Sequence, residues 1–161
     1  NQKPVERTVE FIFYAGEELG LLGSGEIATQ YKEAGVDVVA VIQLDMTLFA
    51  GSGEGVISSI SDYTSPWLRS YLAEINRTYV RASFVEDEKC GYGCSDHASW
   101  YSQGFPAVIP FESKIENMNS KIHTDDDRNH EGLNFRHSTL FSKLSLALLL
   151  ELGNSRDRES P

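Results

Sequence analysis

Long hydrophobic runs are missing from this 161-residue sequence. The longest apolar stretch, from Leu144 to Leu150, is broken by Ser145 and ends at Glu151, short of the ~18 consecutive apolar residues that a membrane-spanning helix needs. No membrane partner is expected. Basic charge is scarce as well: 14 Lys and Arg stand against 24 Asp and Glu, a formal charge of -10 that repels phosphate backbones and anionic lipid. Nucleic acid is therefore not an expected partner. Cysteine is limited to Cys90 and Cys94, too few for a zinc ribbon, which needs a second pair. Repeats and low-complexity linkers are absent, and the polar start with Pro4 close behind lacks the form of a leader peptide, so a mature or internal piece is expected. The length suits one domain, expected over residues 1–153 with a polar tail at 154–161.

What is present reads as alternating strands and helices. Residues 8–15 (TVEFIFYA) and 37–44 (DVVAVIQL) are β-rich apolar runs of strand length. Between them, residues 18–34 carry Leu19, Leu22, Ile27 and Tyr31 at roughly helical spacing, with Gly35 as a stop. A third strand is expected at 56–60 and a helix at 66–79, opened by Pro66 with Trp67, Leu68, Tyr71, Leu72 and Ile75 on one face. Ser95 suits the N-cap of a short helix, 105–111 reads as a last strand, and 138–152 is a helix ended by Gly153. Strands joined by a helix are nearly always parallel with a right-handed crossover, so residues past the ends of the first two runs fall on one sheet edge. Ligands of open α/β sheets bind at such an edge. Glu17, Glu18 and Asp45 occupy it.

Three carboxylates converging on one edge repel each other and call for a cation or a proton. With His123 from the loop after residue 111, the mixed His, Asp and Glu set suits zinc better than calcium or magnesium. The competing reading places Glu17 and Glu18 at a helix N-terminus, where acids are favoured by the dipole. In Cys90-Gly91-Tyr92-Gly93-Cys94 the two glycines let the chain fold sharply enough for a disulfide, favoured here over two free thiols and pointing to an oxidising, extracellular location. His97 is expected to be a hydrogen-bonded structural residue, His130 and His137 surface residues, and 125–127 a solvated acidic loop. Asn76-Arg77-Thr78 is a glycosylation triplet inside an expected helix.

Five blocks in order, Tyr14-Ala15-Gly16-Glu17-Glu18-Leu19-Gly20-Leu21-Leu22-Gly23-Ser24, Gln43-Leu44-Asp45-Met46-Thr47, Cys90 through Trp100, Pro110-Phe111-Glu112-Ser113 and Ile122-His123-Thr124, resemble the bacterial extracellular leucyl aminopeptidases with two co-catalytic zincs. The resemblance implies a three-layer α/β fold of the zinc exopeptidase kind, a mostly parallel, mixed sheet with helices on both faces, of which this chain is the C-terminal portion. It implies hydrolysis of the first peptide bond of substrates with a free N-terminus and a leucine-like first residue. Glu17 would be the general base, Tyr92 the donor to the developing oxyanion, Glu18 and His123 the ligands of one zinc, and Asp45 a ligand of the other. Met46, Ile60, Cys90, Cys94, Ile109, Phe111, Ile115 and Ile122 would build the apolar pocket, although Ile60 and Ile109 equally suit ordinary core packing. The family also uses a His-x-Asp motif upstream of the Glu-Glu block, and residues 1–7 contain neither Asp nor His. An upstream segment is thus an expected partner. A single-zinc glutaminyl cyclase and a metal-free binding or receptor domain share this fold and stand as alternatives.

Overall fold

The computed structural model describes residues 5–129 and 131–155. Among the described residues five short strands and four α-helices follow one another: α1 Leu22–Glu33, β1 Val41–Ile42, β2 Val56–Ile60, α2 Pro66–Ile75, β3 Ser83–Glu88, α3 His97–Ser102, β4 Ala107–Val108, β5 Pro110–Phe111 and α4 Phe135–Asn154. β1 pairs in parallel with β4. β2 lies between β3, which is parallel to it, and β5, which is antiparallel. The result is the expected α/β architecture with mixed sheets.

The main core joins helix faces to these strands. In α2, Leu68, Tyr71, Leu72 and Ile75 recur at i, i+3, i+4 and i+7 and are all buried, and Pro66 at the first turn needs no hydrogen-bonded N–H there. In α4, Phe141, Leu144 and Leu148 form the matching stripe and pack with Ile57 and Val108. Each such side chain contributes about 1.5–3 kcal/mol when fully buried. A second cluster gathers Trp100, Phe105, Ala28 and Ala107, with Ile12, Tyr14 and Tyr31 against it.

Several expectations are corrected. Residues 8–15 form no paired strand among the described residues, because no neighbouring backbone there supplies a ladder. They still run with alternating exposure: Ile12 and Tyr14 pack inward, while Phe11 and Phe13 are 81% and 93% exposed. The parallel strand-helix-strand unit occurs instead at β2-α2-β3. β3 (SFVEDE) was not expected as a strand, since a half-exposed edge strand lacks a clean apolar alternation. The helix expected over 18–34 is split, with a 3-10 turn at Glu17–Leu19 and α1 beginning after Leu21, whose φ is 58°. The helix expected over 66–79 ends at Ile75 in a π turn, Asn76–Val80. The run 105–111 is two two-residue strands broken at Ile109.

Gly153 does not end α4, which continues to Asn154. Its missing side chain serves packing: a Cβ there would lie 3.1 Å from the Cβ of Val5, and the Gly153 carbonyl accepts from the Arg7 amide at 3.0 Å. The helical cap before α3 is Asp96, because Ser95 turns its hydroxyl elsewhere. His137 is fully buried rather than on the surface; its Nε2 donates to the Glu112 carbonyl at 2.9 Å and its Nδ1 accepts from the Gly55 amide at 3.2 Å. Asn76 is buried too, with its side-chain amide spent on both backbone groups of Ala82, so the folded chain does not present it for glycosylation. His130 and residues 156–161 lie outside the described residues.

Candidate active site

The Glu17–Leu19 turn sits between Gly16 (φ 69°) and Gly20 (φ 101°), left-handed positions that glycine adopts without steric penalty. Gly23 locks this turn against the extended segment: a Cβ there would come within 2.6 Å of the Ala15 carbonyl oxygen, and the Gly23 amide donates to that oxygen at 2.9 Å. Two adjacent glutamates are thus held at the end of the segment. The loop after β1 brings Asp45, whose Oδ2 accepts from the Ser95 hydroxyl at 2.8 Å. Met46 follows with a φ of 51°, an unusual conformation for a side chain of this kind.

The shape of that loop is set from below by Glu112. This buried carboxylate accepts from the Leu48 amide at 3.0 Å and the Phe49 amide at 2.7 Å. Burial raises its pKa, the two amides oppose that shift, and Asp45 adds to it. His123, also at positive φ (61°), places Nε2 3.1 Å from Glu18 Oε2, and both side chains remain largely exposed.

Glu17, Asp45 and Asp96 line one cavity of about 290 Å³ with Tyr14, Gln43 and Leu44. Burial raises the pKa of Glu17, the negative charges of Asp45, Glu18 and Asp96 raise it further, and His123 pulls it back. Asp96 is 3% exposed, and its Oδ1 has no hydrogen-bond partner among the described residues. Its carboxyl is also raised, by burial first, with Ser24 opposing and Asp45 reinforcing. A cavity this rich in carboxylates favours a proton or a cation.

Ile60, Ile109 and Phe111 form a buried cluster, and Met46, the residue after Asp45, packs against it with Cys90, Cys94 and Ile115. Cys90 and Cys94 are disulfide-bonded, with Cα atoms 6.4 Å apart. Seven of the eight expected pocket residues are therefore together; Ile122 is half-buried outside that cluster. Tyr92 projects from the disulfide loop, 61% exposed. Asp62 anchors this loop by accepting from the Cys90 and Gly91 amides at 2.9 and 3.1 Å, and its own carbonyl accepts from His97 Nε2 at 3.0 Å. Burial lowers the pKa of His97, which fits a neutral structural imidazole.

The donors fit zinc in kind, since imidazole and carboxylate oxygens suit it. They do not fit in number: no group of three or more His, Cys, Asp or Glu close enough to hold an ion occurs among the described residues. The supporting roles of Asp62 and Glu112 were not legible in the sequence, because each acts on backbone amides far away along the chain, which leave no residue pattern.

A parallel and a mixed sheet whose loops gather Glu17, Asp45 and Asp96 at one open cavity, with the Glu18–His123 pair adjoining Glu17 in the chain, define an α/β protein with an acidic site. The chain belongs to peptidase family M28, whose model matches residues 1–147. It is 42% identical over 151 residues to leucine aminopeptidase 1 of Penicillium rubens, covering 90% of this chain and 38% of that protein. Leucine aminopeptidase 1 of Aspergillus oryzae is 40% identical over 157 residues, covering 94% and 40%. Among solved structures, the Legionella pneumophila LapA aminopeptidase superposes with a TM-score of 0.91 at 37% identity, over 98% of this chain and 42% of that one. BSAP, a zinc aminopeptidase from Bacillus subtilis, shares the fold with a TM-score of 0.70 at 19% identity, over 91% of this chain and 36% of that one. The chain thus spans about two-fifths of the length of these relatives, which are fungal as well as bacterial.

Proposed function

We propose that this chain is the portion of an extracellular zinc aminopeptidase that carries the general base, the oxyanion donor and the first-residue pocket. The observation that carries the reading is Glu17, poised with a raised pKa in the cavity it shares with Asp45, next to the Glu18–His123 pair. Glu18 and His123 would hold one zinc and Asp45 a second, with the remaining ligands supplied by a longer protein. Zinc, when bound, supplies the Lewis acidity that makes water nucleophilic near neutral pH.

The chain's own residues then divide the work. Glu17 takes the proton of the attacking water and passes it to the departing amine; a carboxylate whose pKa is raised accepts that proton more readily than an ordinary one. Tyr92, on the disulfide loop, donates to the oxygen on which negative charge develops. The Ile60, Ile109 and Phe111 cluster with Met46 and Ile115 offers apolar walls for a leucine-sized first side chain. The leucine aminopeptidase names of the relatives favour this reading over a glutaminyl cyclase.

Glu17→Gln in the complete enzyme tests it. Zinc content by elemental analysis should stay near wild type while kcat on a leucine amide falls by about three orders of magnitude or more, since proton transfer is lost and no ligand is. Zinc loss in proportion to the activity loss would overturn the assignment of base and ligand.

A further inference from the structure

A second cavity of about 500 Å³ shares no residue with the carboxylate-lined one and is chemically its opposite. Arg81, Arg136 and Lys143 line it, three of the 14 basic side chains of a chain whose net charge is -10. Val80, Ala82 and Leu140 give it an apolar floor. The one carboxylate in its wall, Glu54, is occupied: its Oε1 is 3.6 Å from Arg136 Nε and its Oε2 accepts from Asn134 Nδ2 at 2.9 Å. Arg81 and Lys143 enter no ion pair among the described residues.

The frame of this cavity is built. Arg136, Leu140 and Lys143 stand at i, i+4 and i+7 on one face of α4, and Arg136 in its first turn adds to the positive end of the helix dipole. Arg81 arrives from the opposite wall at a φ of 61°. Its backbone is held there because its amide donates to the Asn76 carbonyl at 2.7 Å, while the buried Asn76 side chain clamps Ala82 on both sides. A non-glycine residue is strained in this conformation, so the wall is over-determined by its neighbours.

We propose that this cavity is a binding site for a small amphipathic anion: an oxyanion head, carboxylate or phosphate, held by Arg81 and Lys143, on a short hydrocarbon body lying along Val80, Ala82 and Leu140. Guanidinium forks pair with the two oxygens of such a head, and the volume lies in the range of small-molecule sites. A bare inorganic anion would use the cations and leave the apolar floor in water. The site owes nothing to the peptidase reading.

Isothermal titration of the complete enzyme with octyl phosphate, octanoate, inorganic phosphate and octylammonium, at low and high salt, tests it. Octyl phosphate and octanoate should bind, more weakly as salt rises; inorganic phosphate should bind at least about tenfold more weakly, and octylammonium, which suits the carboxylate-lined cavity instead, should bind no differently in Arg81→Gly and Lys143→Ala. Which of the two heads binds more tightly distinguishes a phosphate from a carboxylate source. Arg81→Gly relieves the left-handed backbone, so the variant keeps its fold, and it should weaken octyl phosphate about tenfold. Lys143→Ala, on an exposed helix face, should act likewise. Absence of binding by both alkyl anions, octylammonium binding that weakens in both variants, equal binding of inorganic phosphate, or wild-type affinity for the alkyl anions in both variants would overturn the proposal.

Discussion

A single buried imidazole shows how much at the residue scale depends on partners distant in sequence. His137 accepts from the Gly55 amide and donates to the Glu112 carbonyl, and Glu112 in turn shapes the loop after Asp45. His137→Leu would leave both backbone groups unpaired, and roughly 2–4 kcal/mol of stability should be lost, read from denaturant unfolding. Burial holds the folded imidazole below its ordinary value of 6.5. As pH falls through that value the unfolded state binds a proton that the folded state refuses, so the stability owed to neutral His137 is present above it and lost below it. The gap between wild type and variant should therefore narrow from about pH 7.5 to about pH 5.5. A constant gap would mean that His137 titrates alike in both states. Glu18→Ala and His123→Ala belong to the same scale: each should lose zinc before it loses fold, because both side chains are largely exposed and contribute little packing. Equal zinc retention by dialysed variants and wild type would remove them from the ligand set.

Under the proposed function the disulfide loop is the element on which geometry and activity are most closely joined. Closing a loop with a sequence separation of 4 removes little unfolded-state entropy, on the order of 2 kcal/mol, so its rupture should lower Tm by only a few degrees. The same rupture frees Tyr92 and one wall of the apolar cluster. A Cys90→Ser, Cys94→Ser double variant of the complete enzyme should accordingly lose at least about tenfold in kcat/KM with a modest change in Tm. Asp62→Ala should show the same pattern, since it releases the Cys90 and Gly91 amides without touching the sulfurs. A large Tm loss with unchanged kinetics in either protein contradicts the assignment.

Over the whole molecule, the uncovered surface runs along residues 8–15. Phe11 and Phe13 face outward at 81% and 93% exposure, Leu44, two residues past β1, lines the same cavity as Phe13 and is 47% exposed, and the backbone of the segment has no ladder among the described residues. Such an edge pairs readily with other chains. The chain of 161 residues, expressed alone, should self-associate in light scattering, and Phe13→Glu should raise its monomer fraction. It should also take up at most one zinc per chain, weakly, because the described residues bring together only pairs of donors. Two tightly held zincs in a monomeric, fully active preparation would refute both statements.

Patterns with short periods were legible before any coordinates. The faces of α2 and α4, strand β2, the Cys90–Cys94 pairing and the α/β class follow from local spacing and from turn chemistry that the backbone obeys wherever the segment lies. The five ordered blocks identified the family for the same reason, since a motif is a local string. What only the tertiary structure decided is which distant groups meet. The run 8–15 has the composition of a strand, yet strand status belongs to a ladder and a ladder needs a partner; the Ser83–Glu88 edge has the partner and little of the composition. His137 and Asn76 looked exposed or modifiable as isolated letters and became buried clamps because Gly55, Glu112 and Ala82 offered backbone groups that had to be paired. Hydrogen bonds to amides and carbonyls carry no residue code, so the sequence determined the chemistry available to the site, and the packing of strands and helices decided how it is held.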